Sequence, residues 1–256
     1  MSDQLSWPRL AALLRNDFLR VHRSVLLILG TVAGVALVVS AGSAWDGTVG
    51  TGFYSALFIT ILFAWGTIAT SLSFTDLHGR ATNTAFLMLP ASALEKTVSR
   101  LLLSTVGVIV GAFLLTTVLS WLLEGINALL FDVRREFYSP LDALSWLLVP
   151  HYLAAQSLFF LGAAWFRKTH FVKTVGAVVA LAIGLCAIAI GIAWLLGAAN
   201  WGGGNMRVDG DFDGAIYRPL EWLQDAAQAA YFFVLPLFCW FVAWLRVTET
   251  QVSHGI

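Results

Sequence analysis

The run LLLSTVGVIVGAFLLTTVLSWLL, residues 101–123, decides the fold. It contains no Asp, Glu, Lys or Arg. As a helix it rises about 1.5 Å per residue, enough to cross a hydrocarbon core about 30 Å thick. Five other stretches have the same character: 24–44, 52–74, 144–166, 175–197 and 226–245. Each is continuously apolar rather than alternating, so helices are expected and not the strands of a membrane barrel. The whole chain agrees, with 59% hydrophobic and 12% charged residues, where a soluble domain carries about a quarter charged. The expected fold is an all-α integral membrane protein. An amphipathic interfacial helix over 1–23 precedes a six-span transmembrane domain over 24–256.

Net charge is zero, but the charges are not evenly placed. With the N-terminus inside, the inner segments hold eleven of the fifteen basic residues: Arg9, Arg15, Arg20, Arg23, Arg80, Lys96, Arg100, Arg167, Lys168, Lys173 and Arg246. Only Arg134, Arg135, Arg207 and Arg218 fall outside, together with ten of the fifteen acids. The inner side is +6 and the outer side −6. Basic residues stay on the cytoplasmic side of a membrane, so both termini are expected in the cytoplasm. Trp45, Trp121, Trp146, Trp194, Trp201 and Trp222 fall near outer span ends, and Trp7 and Trp165 near inner ones, where indole rings suit the headgroup layer.

Residues 1–23 contain Asp3 and Asp17 and are amphipathic, unlike a signal peptide, so an uncleaved first span is expected. Ser6 is the expected helix cap, with Pro8 tolerated in the first turn. Trp7, Leu10, Leu14, Phe18 and Val21 share one face, and Arg9, Asn16, Arg20 and Arg23 the opposite one. Such a helix lies in the inner interface, its apolar face in lipid and its arginines at anionic headgroups.

No catalytic constellation is present. The chain has no G-x-x-x-x-G-K-[ST], no H-E-x-x-H, no C-x-x-C and no G-x-S-x-G. The histidines are scattered, and no metal site is expected. Cys186 and Cys239 lie in apolar blocks and imply no disulfide. His151, beside Pro150, and Gln156 form the only polar cluster within a span. They read as a pathway site or as interhelical hydrogen-bonding groups. No carboxylate falls within the six stretches, which argues against a proton-driven transporter. Gly30/Gly34, Gly107/Gly111 and Gly176/Gly184/Gly191 are candidate points of close helix approach.

The segment between the second and third stretches is the most patterned. Residues 76–87 have the makings of a short helix that Pro90 stops. Ser92 then caps the next helix with Glu95 three residues on, a capping box that runs directly into the third span. The run Leu89-Pro90-Ala91-Ser92-Ala93-Leu94-Glu95-Lys96-Thr97-Val98-Ser99-Arg100-Leu101 resembles the small-Pro-x-Ser…Glu…Arg/Lys-Leu signature of ABC exporter permeases of the second type. The plan of the chain is similar too, with an N-terminal interfacial helix, six spans and cytoplasmic ends.

That resemblance implies a permease without its own ATPase. It would be paired with a second copy or a homologue, embedded in lipid, and driven by two P-loop ATPase subunits that bind ATP and magnesium. It implies docking of the ATPase on the segment containing Asp76, Leu77, His78, Arg80, Asn83, Ala85, Phe86, Leu87, Leu89 and Pro90. It also implies a bacterial inner membrane and an amphipathic cargo such as a lipid, peptide or antibiotic. Nothing points to nucleic acid. The outer segments 124–142 and 198–225 have no assigned role, although Tyr217 to Trp222 fit the start of a re-entrant helix. The rival readings are an accessory or scaffold membrane protein, and a lipid-modifying membrane enzyme using Asp209, Asp211, Asp213 or His151.

Overall fold

The computed structural model describes residues 6–45, 52–79, 88–89, 91–131, 138–139, 142–167, 169–195, 222 and 224–253. Among these, every regular element is a helix. We number them α1 (Trp7–Trp45), α2 (52–71), α3 (Thr75–His78), α4 (93–131), α5 (Ala143–Trp165), α6 (His170–Leu195) and α7 (224–253). Three helices widen into a π turn: α2 at Thr60–Trp65, α4 at Leu103–Gly107 and α7 at Ala230–Val234.

Five segments are long and apolar enough to cross a bilayer: Gly52–His78, Ala93–Leu130, Ala143–Trp165, His170–Gly191 and Gln224–Thr250. The protein is thus an all-α, multi-pass membrane protein. The expected first span differs in form. Helix α1 runs unbroken for 39 residues, so the expected interfacial segment continues into the expected first span without a break. No Gly or Pro lies between Arg9 and Leu29 to interrupt the backbone. Its apolar part, Leu29–Ser43, is shorter than the other five. Helix α4 also outruns its expected end, reaching Phe131, so Glu124 and Asn127 belong to the helix and not to a loop.

Two clusters of buried side chains hold the bundle together. Near one end, Phe74 and Leu77 pack with Phe160, Ala163 and Ala164 of α5 and Ala243 and Val247 of α7. Toward the other, Tyr54, Phe58, Ile61 and Leu62 of α2 pack with Val108, Ala112 and Leu123 of α4 and Tyr152 of α5. Trp7, Trp45, Trp121, Trp146, Trp165 and Trp222 are all exposed; the Trp194 side chain and Trp201 lie outside the described residues.

Lipid tails are as apolar as leucine, so burial alone does not drive these helices together; close packing and hydrogen bonds do. The close approaches occur at glycines other than those expected. A side chain at Gly162 of α5 would collide with Thr174 of α6, and one at Gly66 of α2 with the buried ring of Tyr152. At Gly30, Gly34, Gly111, Gly176, Gly184 and Gly191 nothing lies within 4 Å, and Gly107 meets only atoms of its own helix at 3.9 Å. Thr174 is itself buried and held by a bond to the His170 carbonyl at 2.8 Å, so it cannot turn away. Gly162→Ala should therefore destabilise the protein by about 1–3 kcal/mol through overpacking, while Gly176→Ala should be neutral. Thermal unfolding in detergent micelles, comparing the two variants, measures this.

Candidate functional site

The start of α4 gathers more buried charge than any other part of the described structure. Ser92 adopts an extended conformation, its hydroxyl accepts from the Glu95 N–H at 3.1 Å, and the Glu95 carboxylate accepts from the Ser92 N–H at 3.0 Å. This is the capping box read from the sequence. The other carboxylate oxygen does something the sequence did not announce. It accepts from the Ser6 N–H at 2.9 Å and the Ser6 hydroxyl at 3.3 Å, and faces Arg9 Nε at 3.4 Å. Glu95 is fully buried. One carboxylate thereby caps the N-terminal ends of both α1 and α4, where helix dipoles favour negative charge.

The contact continues along both helices. Leu10 and Leu13 of α1 are buried, and Asp17 accepts from the Ser99 hydroxyl at 2.9 Å. Trp7 and Phe18, expected on the same face as Leu10, are instead 76% and 60% exposed, and Leu14 is half-buried. The helix thus divides its apolar residues between the protein and the surroundings. The side chains of Arg20 and Arg23 lie outside the described residues.

One turn further along α4, Arg100 reaches the α2–α3 corner. Its guanidinium donates to the Ser73 carbonyl, meets Asp76 Oδ2 at 3.2 Å and lies 5.4 Å over the Phe74 ring. His78, at the end of α3, donates from Nε2 to the Ala163 carbonyl at 3.0 Å and stacks on His170 at 5.2 Å. Both flanks of the 79–91 segment are therefore tied to the bundle: α3 to α4, α5 and α6, and α4 to α1.

This changes the reading of the ten residues expected at a docking surface. Leu77 is buried and Leu89 packs against the same apolar cluster, while Asp76 and His78 face inward to the partners just named. These four tie the segment to the bundle. Arg80, Asn83, Ala85, Phe86, Leu87 and Pro90 lie outside the described residues.

The second expected site comes apart. Gln156 is fully buried, donating to the Ser104 hydroxyl at 2.9 Å and accepting from Trp240 Nε1 at 3.1 Å, while Tyr152 donates to the Ser104 carbonyl at 2.6 Å. Ser104 sits in the π turn of α4, and both its hydroxyl and its carbonyl are used by α5. His151 points elsewhere, bonding the Leu147 carbonyl at 2.9 Å and lying 5.0 Å from the Phe232 ring of α7. Gln156 is a structural bridge among α4, α5 and α7, and His151 does not join it.

A third polar group was not anticipated. Glu124 is 3% exposed and accepts from the Tyr54 hydroxyl; Asn127, one turn on, donates to the Ser40 hydroxyl of α1 at 2.9 Å. The sequence signal was present in the i, i+3 spacing of Glu124 and Asn127 behind an apolar run, but the expected helix end hid it. The expectation that no carboxylate is buried in a span does not survive, because α4 extends past that point.

No family model, no curated protein and no solved structure matches the chain.

Because Glu95 satisfies two backbone N–H groups, Glu95→Ala leaves buried donors unpaired and should cost about 2–3 kcal/mol. Arg9 is half exposed at the rim of the site, so Arg9→Ala should cost less than about 1 kcal/mol. Chemical denaturation of the two variants in micelles checks the order.

Proposed function

We propose that the protein is the membrane-spanning permease subunit of an ATP-driven ABC exporter in a bacterial inner membrane. The observation that carries this reading is the bracing on both sides of residues 79–91. A segment that receives force from a soluble partner must hand it to the spans without giving way. Here its flanks end in Asp76–Arg100 on one side and the Glu95 cap on the other, so a push on it reaches α1, α4 and α5 together. The division of charge, +6 against −6, supports six crossings with this segment and both termini on the cytoplasmic side.

In this reading, two permease copies, or one copy and a homologue, form the pathway, and two P-loop ATPases with ATP and magnesium close beneath them. Closure moves the docked segments and rocks the helices between inward- and outward-open arrangements. The apolar, exposed faces of α6 and α7 suit an amphipathic lipid, peptide or antibiotic cargo. Residues 85–87 carry the docking contact, since 76–78 are committed inward.

A tagged copy expressed in its native host should co-purify with a P-loop ATPase. The double change Ala85→Glu and Leu87→Glu should release that ATPase at least about tenfold, leaving the thermal midpoint of the permease unchanged. A complex indifferent to these changes refutes the docking assignment, and the absence of any ATPase from the wild-type preparation refutes the exporter reading.

A further inference from the structure

Glu124 poses an electrostatic problem that the described residues do not solve. Its Oε1 accepts from Tyr54, but its Oε2 is buried without a hydrogen-bond partner. None of the ion pairs among the described residues includes it; these are Arg9–Glu95, Arg100–Asp76 and Arg246–Glu249. A buried carboxyl oxygen without a partner is costly, and either a proton or a cation relieves it. The described parts of the helices packed around it supply none. Helix α2 carries Tyr54 as its only titratable side chain, and α1 from Leu29 to Trp45 carries no charged residue.

The groups that are present share one chemistry. Glu124 and Asn127 lie one turn apart on the same face of α4, Tyr54 approaches from α2 and Ser40 from α1. The Asn127 amide nitrogen is engaged with Ser40, which leaves its oxygen as an acceptor. All four side chains are at least nine-tenths buried. The set is made of hard oxygen ligands, which suit alkali and alkaline-earth ions. A single carboxylate neutralises a single charge, and a divalent ion would leave an excess of +1 in apolar surroundings.

We propose that Ser40, Tyr54, Glu124 and Asn127 form a binding site for one monovalent alkali cation, with Glu124 as its counter-charge. The site ties α1, α2 and α4 together at the end of the bundle remote from Glu95. The ion is a structural and coupling ligand there, and the site stands whether or not an ATPase binds the chain.

The test uses the purified full chain in micelles at fixed pH and ionic strength, with choline chloride replaced stepwise by NaCl or KCl. A hydrophobic carbodiimide modifies buried carboxyls, and peptide mapping by mass spectrometry follows Glu124. Sodium or potassium should slow modification of Glu124 about tenfold at ten times the half-protecting concentration. Tyr54→Phe should raise that concentration several-fold. The thermal midpoint should rise with the alkali ion in the wild type and stay flat in Glu124→Gln, whose neutral amide removes the need for a counter-charge. Modification that is indifferent to both ions, that responds to pH alone, or that choline suppresses equally would overturn the proposal. So would an ion-dependent midpoint in a folded Glu124→Gln protein.

Discussion

Glu95 holds two helices by one carboxylate, and most of what is ordered at its end of the bundle follows from that. Taking a carboxylate out of water is costly, and only a full set of donors offsets the cost. Ser92, Ser6 and Arg9 provide that set from two places far apart in sequence. The start of α4 is thereby fixed against the start of α1. Arg100, one turn further on, inherits a defined position and in turn fixes the corner at Ser73 and Asp76. If the carboxylate were absent, each of these groups would have water or lipid headgroups as competitors, and none would select this arrangement over another.

Within the apolar zone a different rule applies. Helices leave lipid for one another only where they fit closely or exchange hydrogen bonds. Gly66 and Gly162 provide the fit, while Ser104, Tyr152, Gln156 and Trp240 provide the bonds. The Ser104 carbonyl that takes the Tyr152 hydroxyl lies in the π turn at Leu103–Gly107. The small-residue stripes on α6 do neither, and its middle is exposed on all sides.

Much of this was legible in the amino-acid order. Uninterrupted apolar length announces a membrane helix, and Ser92 with Glu95 announces where α4 begins, because both signals are local. The partners of Glu95 were not legible, since Ser6 lies 89 residues away and nothing in either segment names the other. A charged residue ends the continuously apolar run at Leu123, but it does not end the helix, which continues to Phe131. Glu124 is instead carried on the helix and turned inward to Tyr54. The amphipathic face of α1 was read correctly as apolar, but a hydrophobic face does not say whether lipid or protein will cover it. Trp7 and Leu10 lie three residues apart and meet different surroundings. The same ambiguity undid the pairing of His151 with Gln156, which are near in sequence but separated by the turn of the helix.

The length of α1 has a mechanical consequence. Ser6 is fastened to Glu95, and Ser40 to Asn127. The first pair is 34 residues from the second along α1 and 32 along α4, about 51 Å and 48 Å of rise. Two parallel rods of nearly equal length, bolted at both extremities, cannot slide past each other. They can tilt only as a single plate. A hinge would then fall along the seams where α2, α5 and α7 meet α4, and a displacement at one fastening is felt at the other.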